Sequence, residues 1–276
     1  MNRYFFLFVL MVFASCSSDK DELHDDDKPK NVESCIGYEN GHAYVDLGLP
    51  SGLKWATMNV GATSVIDYGN YYAWGETKAF GEKDTSNGMN YKFNSQNSYT
   101  KSVYDWETYK WCNGSYNSMI KYCTNSSYGN VDNKITLDLE DDAAVQNWGG
   151  AWRIPTHEEL EELEDDCYWV WTSSYDGSGV AGYIVYATKL PSDKGLVVYN
   201  GNTSSSNYSL SDIHIFLPAA GCHEHGDFGT WGYYWSSSLH ESICDGAWGI
   251  CFDSSCRTCN DSYSRYGGYS VRAVLE

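Results

Sequence analysis

Four cysteines lie close together near the C-terminus of the chain: Cys244, Cys251, Cys256 and Cys259. A zinc ribbon binds its metal through two Cys-x-x-Cys pairs, whereas this group contains one such pair, Cys256 and Cys259. The same thiols can instead form two disulfides, which would stiffen the loops that carry them. The spacing therefore favours disulfides over a metal site, and we predict no metal and no cofactor.

A second group of metal-binding residue types is CHEHGD, residues 222–227. His223 and His225 lie close to Asp227, and two imidazoles with a carboxylate form an ordinary zinc-ligand set. Flanking glycines place this group in a loop, which favours a surface role instead.

The sequence also lacks the common catalytic motifs. The sequence contains no phosphate-binding loop, no G-x-S-x-G nucleophile elbow and no H-E-x-x-H motif. Asp141 and Asp142 are adjacent acids, but adjacent residues of a helix do not face one substrate. They are better explained as acids at a helix N-terminus, where the helix dipole favours negative charge. We predict no catalytic residues and no enzyme activity.

The N-terminus has the composition of a lipoprotein signal peptide, residues 1–16. Arg3 precedes the apolar run YFFLFVLMVFA, which is too short to span a bilayer, and small residues lie directly before Cys16. We predict that Cys16 is lipidated. Residues 17–36 are rich in acid and serine and poor in large apolar residues, which predicts a disordered tether. Residues 37–276 are long enough to form one domain with a substantial core.

The charge of the chain limits its partners. The formal net charge of -19 repels phosphate backbones, so we predict no nucleic-acid partner. The 24 tyrosines and 11 tryptophans supply a core and also potential contact surface.

Short segments rich in aromatic and β-branched residues, separated by glycines, predict a β-rich domain with long loops. The predicted strands are AYVDLG, LKWATMNV, GYIVYAT, GLVVYN, IHIFLPAAG, GYYWSSS, AWGICFDS and SVRAVLE. The clearest helix is PTHEELEELEDDC, in which Thr156 and Glu159 have capping-box spacing. A second short helix is predicted over EDDAAVQNW. Two short helices with many strands indicate the α+β class.

Several longer stretches carry a family resemblance: GHAYVDLGLPSGLKWATMNVGAT, DYGNYYAWGET, YKWCNGSYNSMIKYC, LEDDAAVQNWGGAWRIPTHEEL, IFLPAAG, GYYWSSS and SVRAV. They resemble the Fibrobacter succinogenes major paralogous domain family, whose members are common as secreted or lipid-anchored proteins of gut Bacteroidetes. The resemblance implies a single domain with the C-type lectin-like fold. It covers nearly the whole chain after residue 40.

The resemblance bears on two further questions about the cysteines. Cys112 and Cys123 lie in a family-like stretch, where they either form a bridge or are small buried residues. The formylglycine-generating enzyme shares this fold class, but its reactive cysteine pair cannot be placed on any motif of this chain, and a shared fold does not transfer activity.

The resemblance also implies a rule for the C-terminal composition. Some proteins of this fold carry a variable region in which a retroelement mutates the adenines of asparagine codons. Such changes never give Lys, Glu, Gln, Met or Trp, and residues 243–269 lack all of these except Trp248. The positions that resemble the diversified set, with the cysteines as chance outcomes, are Cys244, Asp245, Gly246, Gly249, Cys251, Asp253, Cys256, Thr258, Cys259, Asp261, Tyr263, Ser264, Tyr266, Gly267 and Tyr269. An ordinary polar loop region in an undiversified relative explains the same composition.

Alternation along the predicted strand AWGICFDS separates a core face from a surface face. Trp248, Ile250, Phe252 and Ser254 are predicted to point inward, and Gly249, Cys251, Asp253 and Ser255 outward. The family pattern also assigns scaffold roles to Ala247, Trp248, Phe252, Arg265, Gly268, Ser270, Val271 and Arg272.

These observations predict a lipoprotein anchored in the outer membrane by its lipid, facing the cell exterior, that binds an external protein, glycan or phage ligand. Tyrosine gives rigid contact area, and small polar residues adapt their hydrogen bonds. The alternative is a structural or adhesive envelope protein with a fixed partner. The predicted ligand-binding residues are Asp245, Gly249, Cys251, Asp253, Cys256, Thr258, Asp261, Tyr263, Ser264, Tyr266 and Tyr269.

Overall fold

The computed structural model describes residues 36–79, 104–199, 207–223 and 226–276. The predicted signal peptide, Cys16 and the predicted tether up to residue 35 lie outside these ranges, as does His225. Within the described part of the chain, no helix is both long enough and apolar enough to cross a membrane.

The described elements are β-rich with two α-helices, which confirms the predicted α+β class. In chain order they are β1 (Ile36–Glu39), β2 (His42–Asp46), β3 (Lys54–Ala56), α1 (Ala143–Trp148), α2 (His157–Asp166), β4 (Cys167–Thr172), β5 (Gly182–Ala187), β6 (Val197–Val198), β7 (His214–Pro218), β8 (Gly232–Leu239), β9 (Gly246–Phe252), β10 (Arg257–Ser264) and β11 (Val274–Leu275).

The strands form three sheets. The first has the order β1-β2-β3-β11 and is antiparallel, so the last strand pairs with one of the first. The second has the order β6-β4-β5-β7, in which β6 runs parallel to β4. The third has the order β10-β9-β8 and is antiparallel, with β10 at its edge.

Helix α2 begins as predicted after its N-cap Thr156, whereas α1 begins at Ala143, three residues after the start of the predicted EDDAAVQNW helix. Thr156 Oγ1 accepts a hydrogen bond from the backbone N–H of Glu159, and the Glu159 carboxylate accepts one from the backbone N–H of Thr156, so the predicted capping box is formed. Asp142 caps α1 by accepting from the N–H groups of Ala144 and Val145. The acid that precedes α1 therefore satisfies its first donors, as helix N-termini require.

Aromatic side chains fill the interior between the sheets. Trp55, Trp169 and Phe252 belong to one buried cluster, which α2 covers with Leu160 and Leu163. Phe252 comes from the third sheet and Trp169 from the second, so this cluster joins the layers. Ring burial on this scale supplies most of the stabilising hydrophobic free energy.

Arg272 is buried and connects three separate parts of the fold. Its guanidinium donates to Asn59 Oδ1 at 3.0 Å, to the Ala56 carbonyl at 2.9 Å and to the Phe216 carbonyl at 2.8 Å. Burial lowers the pKa of Arg272 to about 10. The hydrogen bonds compensate for the water that this charge loses.

Arg265 is also buried, and its hydrogen bonds connect the long irregular segment 104–137 to the rest of the fold. It donates to Tyr109 Oη at 2.9 Å and to the carbonyl oxygens of Tyr122 and Cys244 at 3.0 and 2.8 Å. A fourth bond reaches the Lys121 carbonyl at 3.0 Å. One buried side chain at the end of β10 therefore attaches the segment to the third sheet.

Asp132 holds this segment from within, through both carboxylate oxygens. Oδ2 accepts from the N–H of Tyr122 at 2.8 Å, and Oδ1 accepts from those of Cys123 and Lys134 at 2.9 and 3.1 Å. Burial opposes ionisation, but these donors outweigh it and hold the pKa of Asp132 below its ordinary value.

The Arg265→Lys variant is expected to lower the free energy of unfolding by about 3 kcal/mol, because an ammonium cannot reach all the carbonyl oxygens that the guanidinium serves. Urea unfolding measures the loss. The matched control is Arg153→Lys, which changes an arginine whose side chain is 25% exposed and is paired with Glu159, and this variant is expected to lose about 1 kcal/mol. Equal losses for both variants would contradict the attachment role of Arg265.

The free energy of unfolding is expected to fall as the pH drops below about 4, with Asp132 contributing. A carboxyl group whose pKa is depressed by folding adds stability above its unfolded pKa and loses it as the pH falls through the folded pKa. Asp132→Asn is expected to be less stable at pH 7 and to decline less steeply between about pH 5 and pH 2. Urea unfolding over a pH series tests this, and identical slopes would refute it.

Candidate functional site

The inward face of β9 lies in the core, as alternation predicts. Ile250 is 1% exposed and Phe252 is 0% exposed. The Phe252 ring packs edge-on against Tyr183, with centroids 5.3 Å apart, and stacks with Tyr234 at 5.8 Å. The third sheet therefore rests on a packed aromatic layer.

Trp248 departs from the prediction, although it lies on the same face. It is half-buried, between the imidazoles of His157 and His240, each with ring centroids 4.4 Å from its own. Ser254, the last predicted inward residue, is also half-buried and lies past the end of β9.

The outer face of β9 is covered, which corrects the expectation that Gly249 and Cys251 are exposed. Gly249 is buried, and an added Cβ would approach the Tyr234 carbonyl to 2.7 Å and the Tyr263 ring to 3.5 Å. Cys251 is 7% exposed, and its thiol lies against the Tyr263 hydroxyl. Burial raises the pKa of both groups. Neither Gly249 nor Cys251 presents a surface to a ligand.

Tyr269 is also misassigned as a contact residue, because it lies in the core at 5% exposure. Its ring stacks on Trp235 at 4.4 Å and on Tyr233 at 5.1 Å, and it meets Tyr263 edge-on at 5.4 Å. Its backbone N–H and carbonyl both pair with Tyr72. Removal of this ring would open a cavity, so the residue serves the frame.

Tyr266 and Asp245 lie at the junction between the third sheet and the segment 104–137. Tyr266 is half-buried and packs edge-on against Trp106 with centroids 4.7 Å apart. Asp245 is half-buried, its carbonyl accepts from the Arg265 N–H at 3.0 Å, and burial raises the pKa of its carboxyl. Both residues reach solvent only in part.

The exposed residues of the predicted set lie along β10 and the turn that precedes it. Asp253 Oδ1 accepts from the N–H and the hydroxyl of Ser255, at 2.7 and 2.9 Å, and so fixes the turn. We define the β10 edge as six polar residues of this turn and strand: Ser255, Cys256, Asp261 and Ser264, which are exposed, and Asp253 and Thr258, which are half-buried. The structure brings these six together on one strand and one turn.

The β10 edge is anchored at its beginning. Arg257 Nε lies 3.2 Å from Glu164 Oε1, and its Nη1 donates to the Glu164 carbonyl at 2.9 Å. The guanidinium also lies 4.6 Å over the Trp169 ring. Sequence reasoning missed this anchor, as it missed β10 itself, since RTCNDSYS has no apolar alternation. The one sequence signal for this anchor was Arg257 itself, the single cationic residue of RTCNDSYS.

The cysteines do not form the predicted bridges among the residues that the structure describes. Cys251 is buried, Cys256 is exposed and Cys244 is buried in a cluster that contains neither of them, and all three are free thiols. The side chain of Cys259 falls outside the described parts of the structure. Cys112 and Cys123 are buried and unbridged, which agrees with the small buried role rather than with a bridge.

The described residues include one group with the composition of a metal site, and lysines already neutralise it. Asp138, Glu140 and Asp141 converge, but the Lys121 ammonium lies 2.7, 3.5 and 2.5 Å from their respective oxygens. Lys110 adds a contact of 3.1 Å to Asp141. Of the predicted CHEHGD group, His223 packs against the Tyr104 ring at 4.8 Å.

Comparisons of the chain with protein-family models, with curated proteins and with solved structures find no match.

Tyr269→Ala is expected to lower the free energy of unfolding by about 4 kcal/mol, because it leaves a cavity among three aromatic rings. Asp261→Ala, on the β10 edge, is expected to change it by less than about 0.5 kcal/mol. Urea unfolding of both variants checks this. A loss below about 1 kcal/mol for Tyr269→Ala would place that ring outside the core.

Proposed function

We propose that this protein is a cell-surface lipoprotein whose C-terminal domain binds an external ligand through the β10 edge. One observation carries the proposal: six polar residues, four of them exposed, lie along a sheet edge whose supporting strand is fixed in the core by Ile250 and Phe252. We propose further that the domain is a C-type lectin-like member of the major paralogous domain family. The α+β architecture and the long irregular segment 104–137 support that assignment.

The rigidity of the support favours recognition. Ile250 and Phe252 fix β9 from below, and the Tyr263 ring covers it from above. Arg257 and Arg265 hold the two ends of β10 to α2 and to the segment 104–137. A surface that is already ordered loses little conformational entropy when it binds.

The chemistry of the β10 edge suits hydrogen bonding more than hydrophobic contact. Hydroxyl groups of Ser255, Thr258 and Ser264 both donate and accept, and the carboxylates of Asp253 and Asp261 accept. In the part of the chain that the structure describes, β10 has a strand neighbour on one side only, so its other side also offers backbone groups. A glycan or a polar protein loop fits these groups.

The charge of the chain narrows the ligand class. The net charge of -19 and the two carboxylates on the β10 edge repel polyanions. We therefore propose a neutral or basic ligand, with Cys16 supplying the lipid that holds the protein at the outer membrane, facing outward.

The binding proposal is tested with the full chain, purified in detergent and applied to a printed glycan array and to an array of purified extracellular proteins. The triple variant Thr258→Ala, Asp261→Ala, Ser264→Ala is expected to lose at least about tenfold in affinity for any probe that binds, since each lost polar contact contributes roughly 0.5–1.5 kcal/mol.

The matched control is the triple variant Asp165→Ala, Ser173→Ala, Ser192→Ala, which removes the same kinds of group from exposed positions outside the third sheet. It is expected to bind as the unmodified protein does. Equal binding by all three proteins would show that the ligand contacts another surface and would overturn the β10 edge as the site.

A further inference from the structure

Cys123 and Cys244 come from distant parts of the chain and share one buried cluster. Cys123 lies in the segment 104–137, and Cys244 lies in the connection between β8 and β9. Both side chains are completely buried. Their separation in the sequence gives no hint of a relationship between them.

Backbone and side-chain contacts place the two cysteines side by side. The N–H of Thr124, the residue after Cys123, donates to Cys244 Sγ at 3.2 Å, and Thr124 Oγ1 lies 3.2 Å from the same sulfur. Arg265 Nη1 donates to the carbonyl oxygens of both Tyr122 and Cys244. The residues before and after Cys123 are therefore both held at Cys244.

The two thiols also interact with each other. Burial raises the pKa of Cys123, and the neighbouring Cys244 adds to the increase. Burial acts in the same direction on Cys244, but hydrogen bonds from Thr124 and Cys123 outweigh it and lower the pKa of Cys244. The two sulfur atoms are therefore neighbours in the folded chain, as a pair that closes to a disulfide must be.

We propose that Cys123 and Cys244 form a disulfide that fastens the segment 104–137 to the base of the β10 edge. Asp245 follows Cys244 directly, and Gly246 pairs with Ser264 across β9 and β10. The bond would therefore act at the end of the proposed binding surface, beside the Arg265 attachment, and would restrict movement between the two parts.

The oxidant is the disulfide of a thiol–disulfide oxidoreductase or of glutathione. The thiolate of one of the two cysteines attacks one oxidant sulfur, which forms a mixed disulfide and releases the other oxidant sulfur as a thiol. The thiolate of the second cysteine then attacks the protein sulfur of the mixed disulfide, which forms the internal bond and releases the second oxidant thiol. The chain loses two electrons and two protons, and the oxidant gains them.

The complete burial of both sulfur atoms determines when the disulfide can form. Neither sulfur is accessible to an oxidant in the folded chain, so the bond forms before folding ends, and the folded protein then resists reduction. The proposal does not depend on the binding function. It requires only an oxidising environment, which the experiment supplies directly.

The test unfolds and reduces the full chain, refolds it in a buffer of reduced and oxidised glutathione, blocks free thiols with iodoacetamide and digests it without reduction. Mass spectrometry is expected to find a linked peptide pair that contains Cys123 and Cys244 in most molecules, and to lose it after reduction. Recovery of both residues as alkylated free thiols, or linked to other cysteines, would overturn the proposal.

Variants give an independent measurement. Cys123→Ser is expected to lower the melting temperature of the oxidised protein by about 10 °C, because the closed loop is long and its loss frees the unfolded chain. The control Cys112→Ser changes a thiol of the same cluster, whose Sγ donates to the Trp106 carbonyl, and is expected to keep the linked peptides. If Cys123→Ser does not fold, the peptide map of the unmodified chain decides alone.

Discussion

A guanidinium group that is removed from water must find acceptors, and this requirement organises the fold around Arg265 and Arg272. Each is completely buried, and each gathers backbone carbonyl oxygens from segments that are far apart in the sequence. A carbonyl oxygen that faces a buried cation cannot move away without leaving that cation unpaired, which is a large free-energy penalty. The segment 104–137 contains short turns and isolated bridges rather than helices or long strands, so this constraint replaces a regular hydrogen-bond ladder. Irregular backbone keeps one arrangement because a buried charge requires it.

Much of the fold could be predicted from local patterns, because those patterns carry their own physical cause. The helix at His157–Asp166 could be predicted from Thr156 and Glu159, because their side chains accept hydrogen bonds from N–H groups at the helix start. This interaction does not depend on the tertiary surroundings of the helix. The core positions Ile250 and Phe252 follow from alternation and apolarity together. Strand β10 escaped prediction because its pairing with β9 depends on a neighbour, and its own residues are polar. Sequence patterns predict elements that are stabilised by their own residues, whereas an edge strand such as β10 is stabilised mainly by pairing with a neighbouring strand.

The candidate site was predicted in composition but only partly in position. Tyrosine is equally at home in an aromatic core and on a binding surface, so counting tyrosines did not separate Tyr269, which stacks on Trp235, from the exposed polar residues of β10. Glycine was ambiguous in the same way, because it occurs both in binding loops and at tightly packed positions. Gly249 is of the second kind, since the Tyr234 backbone leaves no room for a side chain there. Cysteine spacing misled for a different reason: Cys244 has a thiol neighbour in Cys123, which lies far away in the sequence and which no pattern of nearby residues reveals.

The position of β10 at the margin of its sheet has a consequence for how this protein can change. A central strand such as β9 forms hydrogen bonds with a strand on each side, and other residues pack on both of its faces. Nearly every substitution there therefore disturbs several contacts at once. A marginal strand such as β10 pairs with one strand only, and its side chains Asp261 and Ser264 are exposed to solvent. Heritable variation, natural or imposed in the laboratory, is therefore expected to cost little folding stability at Asp261 and Ser264, and more at Arg257 and Tyr263 of the same strand or at the buried positions of β9. The architecture thus separates the residues that folding requires from the exposed residues that can be substituted.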